Sequence, residues 1–106
     1  MTKNVEVTPN EQYPHWNTAV VGENTYQLET QENEGNTTIL VFKGAEVVPG
    51  GRIASIYKNS ENCIISAYSR LKEQPPNSLE KEVLEDILAI LDKLFVENPI
   101  KYYTFK

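Results

Sequence analysis

One cysteine, one histidine, one tryptophan and two arginines are all that the 106 residues offer of those types. Each scarcity excludes a class of chemistry. A lone Cys63 rules out an internal disulfide and fits a reducing compartment, so a cytoplasmic location is expected. One His and one Cys are too few for the usual zinc ligand sets, and no metal or cofactor is expected. A serine triad would have to recruit His15, and no G-x-S-x-G elbow occurs to expose a serine. A Cys63–His15 dyad needs an exposed thiolate. Cys63 instead falls in a β-prone run, on a face of small aliphatic side chains where a thiol behaves as a hydrophobe.

Long apolar runs are also missing. The most apolar segment, residues 79–96, is broken by Glu85, Asp86, Asp92 and Lys93, so a soluble chain without a membrane span is expected. The opening MTKNVEVTPNEQYPH lacks the apolar core of a targeting peptide. Positive charge is absent from Asn4 to Phe42, a stretch with six acids. Residues 43–106 balance nine acids against nine bases, so the net charge of −5 resides in the first two-fifths of the chain. Phosphate binding requires a basic footprint, which argues against direct contact with nucleic acid. A basic protein surface is the partner that an acidic half would attract.

What is present reads as strands followed by a helix. Residues 1–18, with Pro9 and Pro14, show no sustained period and read as an irregular polar arm; residues 19–106 read as a single α+β domain. AVVGENTYQLET holds two short β-prone runs around Gly22. TTILVFK, RIASIYK and CIISAYSR follow, separated by turn-forming GAEVVPGG and NSEN. EQPP then breaks the pattern, and Asn77 or Ser78 is placed to cap a helix. Leu79, Val83, Leu84, Ile87, Leu88, Leu91, Leu94 and Phe95 recur at three- and four-residue spacing, the stripe of an amphipathic helix that Asn98-Pro99 ends. IKYYTF reads as a last strand at an edge. The expected fold is therefore α+β: an antiparallel β-meander of four to five strands, one long C-terminal amphipathic helix packed on one face, and a short terminal strand.

Turning the chain at NSEN opposes residues 59 and 62, then 57 and 64, 55 and 66, 53 and 68. Period-two alternation sorts these strands into two faces. Face A carries Ala54, Ile56, Cys63, Ile65 and Ala67, whose small side chains admit a helix. Face B carries Ile53, Ser55, Tyr57, Ile64, Ser66, Tyr68 and Arg70, with Leu40 and Phe42 from the neighbouring strand. One helix leaves face B to be covered by the N-terminal arm through Trp16, by a second copy of the chain, or by a partner. Tyrosines suit such a surface, since an apolar ring ends in a hydroxyl that tolerates water.

Sites with chemistry are few. Glu82, Glu85 and Asp86 read as a solvated helix face rather than an acid–base pair. PGGR at 49–52 is not a P-loop and reads as a turn. Trp16 reads as the hydrophobic foot of the arm, and His15 lacks catalytic company. The expectation is a small soluble, non-catalytic interaction protein, a homodimer acting as regulator, inhibitor or adaptor through Trp16, Phe42, Tyr57 and Tyr68 and its acidic half. The alternative is a binder of an anionic, nucleotide-like molecule at Arg52, Tyr57, Tyr68 and Arg70, where guanidinium groups would hold the anion and rings would stack.

Overall fold

The structure is a computed structural model that describes residues 4–44, 52–67 and 80–105. Among the described residues, seven strands form one sheet in chain order: β1 (Val5–Pro9), β2 (Trp16–Val21), β3 (Asn24–Asn33), β4 (Asn36–Lys43), β5 (Arg52–Asn59), β6 (Asn62–Ala67) and β7 (Tyr102–Phe105). Helix α1 (Lys81–Leu94) joins β6 to β7. All neighbours pair antiparallel except β6 and β7, which run parallel, as a helical crossover between adjacent strands permits.

The α+β class and the meander stand, but the strand count exceeds the expected four to five. Part of the excess comes from the stretch read as irregular. VEVTP turns Val5 and Val7 toward the core and Glu6 to solvent, a period-two pattern too short to register without its partner. Pairing with β2, Val5 opposite Val21 and Val7 opposite Ala19, supplies what the local pattern lacks. The helix is also shorter than expected, at 14 residues. It stops at Phe95, whose backbone leaves helical angles (φ −113°, ψ 45°) while its N–H still bonds to the Leu91 carbonyl. The expected caps Asn77 and Ser78, the apolar Leu79 and the Pro49-Gly50 turn lie outside the described residues.

The turns hold the register. At the β3–β4 turn, Glu34 and Gly35 both have positive φ (53° and 83°), the twist that suits a two-residue hairpin and that glycine adopts without steric cost. The β5–β6 hairpin has the expected register: Asn59 opposes Asn62, Tyr57 opposes Ile64, and Ser55 opposes Ser66. Ala54, Ile56, Cys63 and Ile65 are accordingly buried on face A. Ile53 differs from expectation. A bulge between Val41 and Phe42 shifts the pairing beside it, and Ile53 packs against the helix-side core.

That core joins Ala19, Val21, Tyr26, Leu28, Ile39 and Val41 of the sheet to Val83, Ile87, Ile90 and Leu91 of α1. Helix and sheet each present one apolar face, and burying the two together is the main stabilising event of the fold. Ile87 is fully buried at the middle of the helix. Ile87→Ala is expected to destabilise the fold by about 2–5 kcal/mol, read as a lower urea midpoint with an unchanged slope.

Candidate functional site

Face B, opposite the helix, begins with an ordered turn. Between β1 and β2, the Asn10 side-chain oxygen accepts hydrogen bonds from the Gln12 and Tyr13 N–H groups at 2.9 and 3.2 Å. The Trp16 N–H donates to the Tyr13 carbonyl and the Trp16 carbonyl accepts from Asn10 N–H, at 3.0 and 2.9 Å. This side-chain-to-backbone turn replaces ladder pairing where the chain reverses. It delivers Trp16 to the first position of β2 and leaves His15 exposed.

Trp16 opposes Glu29, and Phe42 opposes Gln27, so all four side chains share face B. Trp16 and Phe42 belong to strands on either side of β3, two strand spacings or about 10 Å apart. Their ring centroids are nevertheless 5.1 Å apart, tilted by 54°. Both rings therefore lean over β3 and meet above it. Beneath them Gln27 is 1% exposed although it faces away from the helix. Its amide is satisfied in place: the Thr18 hydroxyl donates to Oε1 at 2.8 Å, and Nε2 donates to the Gly44 carbonyl at 3.3 Å. The aromatic pair thus roofs a buried polar group that an apolar neighbour could not satisfy.

The remainder of face B follows from register. Leu40 lies beside Ser55 and Ser66, and Thr38 beside Tyr57 and Ile64. Leu40, Phe42 and Ile64 are half-buried, while Tyr57 is exposed. Glu6 and Glu29 share this face by alternation. No described element lies over it. No family model, curated protein or solved structure matches this chain.

Of the expected site residues, Trp16 and Phe42 are brought into contact, and Tyr57 lies farther along the same face. Tyr68 and Arg70 are outside the described residues. Arg52 opposes Phe42 at the bulge, but it is five positions from Tyr57 along β5, about 17 Å. Arg52 thus stands at the start of β5 and Tyr57 toward its other end. Cys63 and His15 are also apart, with β3, β4 and β5 between their strands. Cys63 is buried, and burial pushes its thiol up to about 11, against the pull of the nearby Lys58 charge.

The helix side holds polar residues whose placement the sequence reading missed. Glu82 and Glu85 are exposed as expected, but Asp86 is wholly buried. Its position, three after Val83 and four before Ile90, lies inside the apolar stripe rather than on the solvated face. The Tyr26 hydroxyl donates to Asp86 Oδ2 at 2.6 Å, and Asn24 Nδ2 donates to the same oxygen at 2.8 Å. Asn24 Nδ2 also reaches Glu82 Oε1 at 3.3 Å. Burial, the bond to Asp86 and the surrounding negative charge all raise the Tyr26 pKa. The signal for this clasp was a carboxylate at core spacing; its partners are sixty residues away and could not be read locally.

Tyr26→Phe keeps the ring but removes the donor to a buried carboxylate, and should cost about 1–3 kcal/mol in urea unfolding. For Cys63, the unfolded thiol ionises near 9.0 and the folded one near 11. The folded state holds the proton more tightly, so this contribution is intact below about pH 9 and is lost as pH rises toward 11. Tyr26 and Tyr103 are shifted in the same direction, Tyr103 by burial and then by the charges of Asp92 and Cys63. Between about pH 8 and pH 10.5, Cys63→Ala should lose roughly 2 kcal/mol less stability than the parent chain.

Proposed function

We propose that this protein is a small, soluble, non-catalytic interaction module that works through face B, closing it against a second copy of the chain or against a protein partner. The observation that carries the reading is the division of labour between the faces. The only described helix lies on face A, while Trp16, Leu40, Phe42, Tyr57 and Ile64 follow one another on face B with no described element over them. Aromatic and aliphatic side chains at the centre of a flat surface are what a protein interface uses for affinity. A two-fold dimer, in which the same patch meets itself, is the commonest closed oligomer, which makes a homodimer through face B the first form of the proposal.

Charge supplies the second element. Glu6 and Glu29 sit on face B within a half-chain that has no positive side chain from Asn4 to Phe42. An acidic border steers a basic partner and repels an acidic one. A regulator, inhibitor or adaptor of a basic protein combines both features, and a cytoplasmic setting suits the single free thiol. The described helix is too short and too polar to cross a membrane. The nucleotide-like ligand alternative finds no favouring observation: Arg52 and Tyr57 are separated by about 17 Å along β5, and Tyr68 and Arg70 lie outside the described residues.

Light scattering behind a sizing column tests the proposal on the full chain. The parent is expected at twice the monomer mass, or as a monomer that a basic partner converts to a complex. Tyr57→Lys and Leu40→Lys place charge on face B without touching the helix-side core. They should shift the dimer to monomer, or weaken partner capture at least tenfold, with little change in unfolding midpoint. Retention of mass and capture in both variants would rule out face B as the interface.

A further inference from the structure

A second surface lies on the helix side, where the end of α1 overhangs the sheet. Pairing across β3, β4, β5, β6 and β7 sets Glu32, Thr37, Lys58, Cys63 and Tyr103 in one row on face A. Where this row passes under the helix end there is a cleft of about 530 Å3. Lys58 and Thr37 line its floor, Leu94, Phe95 and Val96 form its apolar side, and Glu32 and Glu97 stand at its rim. The volume is within the range of small-molecule sites, which run from about 300 to 1,000 Å3.

Lys58 is the unusual member. It is 4% exposed, a rare state for a lysine, and no carboxylate among the described residues pairs with it. Its ammonium lies 4.8 Å from the centre of the Phe95 ring and donates one hydrogen bond, to the Ser60 carbonyl at 2.6 Å. An ammonium carries three donors. Thr37, directly across the strand pair and 9% exposed, has no side-chain hydrogen bond among the described residues. Lys58 thus keeps two donors, and Thr37 its hydroxyl, for an acceptor placed in the cleft that both of them line.

We infer that this cleft binds a small zwitterion with an apolar body, an amino acid or short peptide whose α-carboxylate enters first and meets Lys58 and Thr37. The charges choose between ligand classes. A simple anion would have to pass the carboxylates of Glu32 and Glu97 with no positive charge of its own to satisfy them. A simple cation would satisfy the rim but face Lys58 at the floor. A zwitterion satisfies both, its carboxylate turned to Lys58 and its ammonium, on the same carbon in an amino acid or one residue away in a dipeptide, turned to Glu32 and Glu97, while its apolar part lies against Leu94, Phe95 and Val96. The site is on the opposite side of the sheet from face B and does not depend on the interaction reading.

Isothermal titration of the full chain with four probes tests this: L-phenylalanine, glycyl-L-phenylalanine, 3-phenylpropanoate, which lacks the amine, and phenethylamine, which lacks the carboxylate. At least one of the two zwitterions should bind one-to-one and at least tenfold more tightly than either half-molecule; which one does so separates amino acid from peptide. Lys58→Met, which keeps the length and apolar stem of the side chain, should weaken that binding at least tenfold, and Glu97→Gln should weaken it several-fold. Thr37→Val serves if Lys58→Met unfolds, and should reduce affinity in the same direction. Absence of saturable binding by either zwitterion, binding of phenethylamine as tight as theirs, or unchanged affinity in the floor variants would overturn the inference and leave Lys58 as a cation that only braces the end of α1.

Discussion

A sheet of seven strands has two faces, and the described chain has one helix to lay against them. That shortage of cover governs the rest of the structure. The helix spends its stripe of Val83, Ile87, Ile90 and Leu91 on face A, where the sheet answers with Ala19, Leu28, Ile39, Val41, Ala54, Ile56 and Ile65. Everything apolar on the other side must shield itself or be shielded by something else. Trp16 and Phe42 do the first, leaning together over Gln27. Tyr57 does not, and stays exposed.

Polar groups are placed by the same constraint. Where the helix crosses the sheet, a fully apolar contact would suffice, yet Asp86 sits there with Tyr26 and Asn24 hydrogen-bonded to one of its oxygens. Such a cluster adds direction to an otherwise non-directional contact, because the bonds are made in only one helix orientation and an unmade one is costly. Toward the end of the helix, contact with the sheet is mediated by Lys58 beneath Phe95. The helix thus meets the sheet through a carboxylate near its middle and an ammonium under its C-terminal end.

Much of the hairpin made by β5 and β6 was legible in the sequence. A two-residue turn leaves one register that keeps Ala54, Ile56, Cys63 and Ile65 together, and a slip by one would turn every side chain over. The helix was legible from its period, though its length was not, since Phe95 continues the apolar spacing while its backbone has already left the helix. β1 was not legible, because two valines in five residues are no pattern until β2 lies beside them. Of the candidate surface, the sequence pointed to Trp16, Phe42 and Tyr57. It treated Trp16 as the foot of an arm rather than half of an aromatic roof across β3.

The sequence by itself determined the class of structure, the order of its elements from β2 onward, the sorting of the β5–β6 hairpin into two faces and the scarcity of catalytic groups. These depend on near-neighbour spacing, which alternation and helical period express directly. Only the tertiary structure decided that Asp86 would be buried against Tyr26, that β7 would run parallel to β6, that Trp16 would reach Phe42, and that Lys58 would end under Phe95. Each of these joins residues distant in the chain, or strands set side by side only by folding. Whether a side chain is buried or exposed, partnered or facing open space, is a property of such encounters, and no local pattern carries it.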